Sequence, residues 1–179
     1  AYRQRAFLLV LKKKYEAAAE LLSAAPGLGW SDPEHPGHVL FPMFRDLLEG
    51  KGASSQRLTV VAGQLEWDTL ELLTTDPDAP RLAAPDIGDI VHLAGVDGIR
   101  EGGARRAVLA AMREAAEKRI AGVTEHKRRR HYGHAASLVA ACLACDPSPD
   151  ARSWVDNIRA RHRRFSALRA ELDRHLAAN

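Results

Sequence analysis

Apolar residues recur along this chain at helical rather than strand spacing. Leu8, Leu11, Tyr15, Ala18 and Leu22 fall at i, i+3, i+7, i+10 and i+14, one stripe down an α-helix. The stripe predicts a first helix over residues 3–25, stopped by Pro26-Gly27. Val39, Leu40, Met43, Leu47 and Leu48 predict a second over 38–49, with Pro42 in its first turn. Leu58, Val61, Leu65 and Leu72 predict a third from Ser54 or Ser55 to about Thr75, bent or split at Gly63. Residues 58–62 also suit a short strand, but the chain offers no clear partner strand, so helix is preferred. Ile87, Ile90 and Val91 mark a short helix over 86–93. Leu109, Met112, Ala116, Ile120 and Val123 mark the longest, over 104–123, with Glu114 and Lys118 paired at i,i+4 on its exposed face. Tyr132, Ala136, Val139 and Leu143 predict a helix over 127–145, ended by Pro147 and Pro149. Trp154, Ile158 and Phe165 predict one over 150–165, and Leu168, Leu172 and Leu176 an eighth, capped by Ser166.

Two of these stretches share a pattern. Lys12-Lys13-Lys14 precedes Tyr15-x-x-Ala18-Ala19-x-Leu21-Leu22, and Arg128-Arg129-Arg130-His131 precedes Tyr132-x-x-Ala135-Ala136-x-Leu138-Val139. Tyrosine closes one end of a buried stripe, alanines admit a neighbouring helix, and the leucines fill the next turn. The expectation is an all-α domain over 1–179, an irregular TPR-like array or bundle of about eight helices.

At 46% hydrophobic and 27% charged residues, a chain of 179 residues has enough apolar side chains for a packed core. The net charge is +3, but it is unevenly spread. Residues 1–99 hold nine Lys and Arg against fourteen Asp and Glu; residues 100–179 hold seventeen against nine. Such a split lets the halves dock on each other, lets copies associate, or shows each half to a different partner. Two cysteines make no disulfide framework, and no stretch approaches a membrane-spanning length. The expected location is cytoplasmic. The chain begins at Ala1 rather than Met, which suggests part of a longer protein.

Candidate chemistry is sparse. Cys142-x-x-Cys145 closes a helix, the end that disfavours a thiolate, and reads as two buried small residues. Asp32, Glu34, His35 and His38 are the densest set of potential metal ligands, though their loop also reads as a Pro/Gly turn. Gly95, Gly98, Gly102 and Gly103 lack the lysine and Ser/Thr of a phosphate loop and read as a flexible connector. His92 stands alone. No nucleophile elbow or His-Glu-x-x-His motif occurs. The residues therefore point to no enzyme and no cofactor. The basic set Lys127, Arg128, Arg129, Arg130, His131, Arg159, Arg161, Arg163 and Arg164 could form one face for an acidic protein surface or, alternatively, a nucleic-acid backbone.

The Tyr-x-x-Ala-Ala-x-Leu helices resemble the first helix of tetratricopeptide-type hairpins. The stretch His131-Tyr132-x-x-Ala135-Ala136, Trp154-Val155, Arg159, His162-Arg163-Arg164, Leu168-x-x-x-Leu172 resembles the C-terminal helical segment of some bacterial SWIM-associated proteins of unknown role. The SWIM cysteine–histidine pattern is absent, so no metal function carries over. The two tyrosine patterns are too far apart for tandem repeats, so a divergent array is implied. These resemblances imply a protein–protein interaction or scaffold module with no catalytic residue.

Overall fold

The computed structural model describes residues 2–32, 34–50, 94–96 and 98–178, without the side chains of Tyr2 and Arg3. The helices expected over 54–75 and 86–93, with Gly63 and His92, lie outside the described residues. Within them the chain is all-helical, with no strand: α1 (Tyr2–Leu11), α2 (Tyr15–Ser23), α3 (Gly37–Leu48), α4 (Gly102–Glu125), a 3₁₀ turn (Arg129–His131), α5 (Tyr132–Cys145), α6 (Pro149–Arg161) and α7 (Ser166–Ala177).

The first expected helix is two. Lys13 adopts a left-handed backbone (φ 55°), and the Lys14 and Lys13 N–H groups reach back to Leu9 O (2.8 Å) and Val10 O (2.9 Å). This is a Schellman exit, which satisfies the last carbonyls of α1 and turns the chain. The turn leaves all three lysines in solvent and changes the buried register. α1 buries Ala6, Phe7 and Val10, while Leu8 of the expected stripe is 51% exposed.

The same device ends α4. Lys127 has φ 51°, and Arg128 and Lys127 donate to Val123 O (2.8 Å) and Thr124 O (3.2 Å). The basic run therefore lies outside any α-helix, and α5 starts at Tyr132 rather than at 127. Tyr132 is 3% exposed and Tyr15 packs half-buried against the core.

α4, 24 residues and so about 36 Å long, is the spine. Both Tyr-x-x-Ala-Ala helices, α2 and α5, lie along it, and α7 packs on α5. Ala18 and Ala19 of α2, Ala111, Ala115 and Ala116 of α4, and Ala135 and Ala136 of α5 are all buried, which lets backbones approach. The larger core side chains, among them Phe44, Leu22, Leu40, Met112 and Ile158, are essentially inaccessible, each contributing about 1.5–3 kcal/mol. The i,i+4 pair Glu114–Lys118 forms at 2.8 Å.

Some local expectations shift. Pro42 sits in the second turn of α3, where it deprives the His38 carbonyl of its helical donor. α6 starts at Pro149 behind Ser148, whose Oγ accepts from Ala151 N–H (3.2 Å). Ser166 is the first residue of α7 and makes no capping bond; Phe165 holds the cap position.

The glycine-rich connector is anchored rather than loose. Val96 and Ile99 are buried, and Ile99 N–H donates to Leu47 O (2.9 Å). Arg105, in the first turn of α4, donates to Ile99 O (3.0 Å), Leu48 O (3.3 Å) and Cys145 O (2.9 Å). Leu48 and Cys145 are the last residues of α3 and α5, so one guanidinium meets two negative helix ends. The loop after α2 lies equally close to α4: a Cβ on Gly27 would stand 2.1 Å from Lys118 O.

Candidate functional site

The nine expected basic residues do not form one face. Lys127, Arg161 and Arg164 line a groove of about 700 Å³ between the second half of α4 and the α6–α7 corner. Ile120, Ala121, Ile158 and Phe165 make its apolar floor, Lys118 adds a fourth cation, and Glu117 and Glu125 place two carboxylates among them. Arg159 and Arg163 instead share a shallow surface with Arg169 and Asp173, where Arg159 pairs with Asp173 (2.7 Å). Arg159 and Arg161, two residues apart at the end of α6, leave the helix on different sides, and Arg163 and Arg164 follow on the turn after it. Arg128, Arg129 and Arg130 are exposed on the turn before α5; Arg130 Nε donates to His131 Nε2 (3.1 Å).

Polar contacts tie α4 to α6 beside the groove. Trp154 Nε1 donates to Glu117 Oε1 (2.6 Å), and Arg161 pairs with the other oxygen (3.3 Å). Arg113 lies over the Trp154 ring (5.6 Å) and pairs with Asp146 (2.5 Å). Arg164 stacks over Phe165 at 5.2 Å. His162, also lining the groove, has a buried Nδ1 without a partner among the described residues; burial, then Arg161 and Arg164, push its pKa down. Lys127 and Arg164 make no ion pair among the described residues.

The Asp32–His38 loop does not assemble as metal ligands. Asp32 Oδ1 accepts from Glu34 N–H (2.9 Å), closing an Asx turn. His35 is 5% exposed, and its Nδ1 accepts from Gly37 N–H (3.1 Å), so its proton sits on Nε2, which donates to Pro26 O (2.9 Å). Both ring nitrogens are thus committed to the backbone. Burial pushes the His35 pKa down. No three His, Cys, Asp or Glu side chains among the described residues gather as a metal site. Cys142 and Cys145 are buried free thiols, and burial pushes the Cys142 pKa up, away from reactivity.

What the loop does build is an aromatic cluster around Trp30. The rings of His35, His134, Phe41 and His38 lie 4.6, 5.0, 6.2 and 6.3 Å from it. A Cβ on Gly37 would stand 2.4 Å from Trp30 Cη2, so only glycine admits the indole there. Arg119, 3% exposed, reaches Gly27 O of the same loop with Nη1 at 3.4 Å. Sequence reading passed over Trp30, Arg105 and Arg119. A signal existed for the arginines: Arg105 and Arg119 stand seven residues to either side of Met112, on the apolar stripe itself.

No family model, no curated protein and no solved structure matches this chain. Among the described residues, no helix is long and apolar enough to cross a membrane.

Proposed function

We propose that this chain is a non-catalytic protein–protein interaction module that takes an acidic, partly apolar segment of another protein into the α4/α6–α7 groove. The observation that carries it is the pairing of an apolar floor with a cationic rim in which Lys127 and Arg164 have no carboxylate partner among the described residues. Apolar side chains of the partner would cover Ala121 and Phe165, above the buried Ile120 and Ile158, and its carboxylates would meet Lys127 and Arg164. On this reading the helices form a TPR-like scaffold of a cytoplasmic bacterial protein, in keeping with the Tyr-x-x-Ala-Ala resemblance.

The four consecutive exposed cations Lys127–Arg130 give a second reading, a nucleic-acid surface, some support. The aromatics near them argue for the first. Tyr132 is buried, Trp154 is tied to Glu117, and Phe165 lies against Arg164, which leaves no free ring beside these cations among the described residues.

Fluorescence anisotropy with a labelled Glu/Leu-rich helical peptide and with a labelled single-stranded oligonucleotide separates the two. The peptide should bind, and Lys127→Glu with Arg164→Glu should weaken it by about tenfold or more. Oligonucleotide binding with a steep salt dependence, and no peptide binding, would replace the first reading with the second.

A further inference from the structure

Arg159, Arg163 and Arg169 line one open hollow of about 430 Å³, where the end of α6 and the turn after it meet the first turn of α7. Ala160 and Asp173 complete the lining, so an apolar ligand finds only Ala160 to rest on. Guanidiniums gathered on one hollow repel one another unless anions offset them. Acids are short here. Asp173 takes Arg159 Nη2 at 2.7 Å, and Asp156, outside the lining, stands 3.7 Å from Arg159 Nη1. Both acids are thus spent on one guanidinium, whose Nε still has no acceptor among the described residues. Arg163 and Arg169 are exposed, and neither makes an ion pair among the described residues.

The start of α7 adds to the same field. Its first turn holds Arg169 and no acid, and no side chain caps it. Helix starts favour acids and disfavour cations, because the dipole is positive there. Two unpaired arginines beside an acid-free helix start reverse that preference, and a bound anion would remove the cost. Three arginines against one aspartate leave the lining with two positive charges. A carboxylate or a phosphodiester brings one negative charge. A phosphate monoester brings about 1.5 to 2 at pH 7, with three oxygens that can each take a guanidinium fork.

We propose that this hollow binds a dianionic phosphate group, free or at the end of a monoester, with its oxygens on the Arg163 and Arg169 guanidiniums and Arg159 held beside them by Asp173. The site shares no lining residue with the α4/α6–α7 groove and stands or falls apart from it.

The test is a ¹H–¹⁵N titration of the whole chain with methyl phosphate and with inorganic phosphate, against dimethyl phosphate and acetate at equal ionic strength. The amide signals of residues 163–169 should move and saturate with the first two and stay with the others. Arg163→Lys and Arg169→Lys keep the charge and lose the fork, and each should weaken binding about tenfold. Both positions are exposed, so the variants keep the fold. Arg152→Gln removes an exposed cation of α6 outside the lining and should leave the affinity unchanged. Tighter binding of methyl phosphate identifies an esterified ligand, and tighter binding of inorganic phosphate the free ion. No saturation, an equal response to dimethyl phosphate or acetate, unchanged affinity in both lysine variants, or an equal loss in Arg152→Gln overturns the proposal.

Discussion

Lys13 and Lys127 hold the same left-handed backbone, with φ of 55° and 51°, at the same place: one residue beyond the C-cap of the helix before a Tyr-x-x-Ala-Ala helix. Each is exposed, and each closes a Schellman pair of hydrogen bonds. The shared sequence pattern thus begins with a shared backbone turn. The difference is the 3₁₀ turn Arg129–His131, which follows Lys127 and has no counterpart after Lys13.

A non-glycine residue in this conformation costs about 1–2 kcal/mol through its Cβ, and glycine does not. Lys13→Gly and Lys127→Gly should each stabilise the fold, by about 0.5–1 kcal/mol after the extra chain entropy of glycine is taken off. Urea unfolding would show the midpoint rising. A drop of similar size in both variants would mean that the two lysine side chains, rather than the turn, matter at these positions.

Arg105→Met keeps the stem of the side chain and removes three hydrogen bonds to carbonyls of three separate segments. The loss should be about 2 kcal/mol, because the charge-assisted bonds to Leu48 O and Cys145 O also close two helix ends. Hydrogen exchange should quicken first at the ends of α3 and α5. Exchange unchanged there would show that other groups hold those ends.

Acid should weaken the fold before carboxylates titrate. Burial lowers the pKa of His35, His134 and His162 from the ordinary 6.5, that of His134 to about 4. The unfolded chain then binds more protons than the folded one between those values, so stability is full above about pH 6.5 and falls as the pH drops toward 4. His134 is itself exposed by area, so solvent screens much of its share, and His35, fixed neutral by Gly37 N–H, is the stronger contributor. Thermal midpoints measured from about pH 7 to about pH 5 should decline, less steeply in His35→Gln. A flat profile would sink this assignment.

Periodicity made the helices legible because apolar spacing at 3.6 residues is a direct image of a buried face. Met112, Ala116, Ile120 and Val123 lie where their stripe put them. The breaks at Lys13 and Lys127 were not legible, since a left-handed exit is normally marked by glycine and here lysine takes it. Leu8 fitted the stripe and is exposed for the same reason: the turn ends one helical register and starts another. The single basic face was too coarse, because nearness in sequence says nothing about which side of α6 a side chain takes. The Trp30 cluster joins residues 30–41 to residue 134, a contact between distant segments that no local pattern encodes.

α4 touches α2, α3 and α5 at once, and Arg105 pins its first turn to the ends of two of them. Among the described residues, a strut clamped in this way ties the N-terminal helices to the C-terminal ones. A host braced so gives up little freedom on association, and most of that loss falls on the guest.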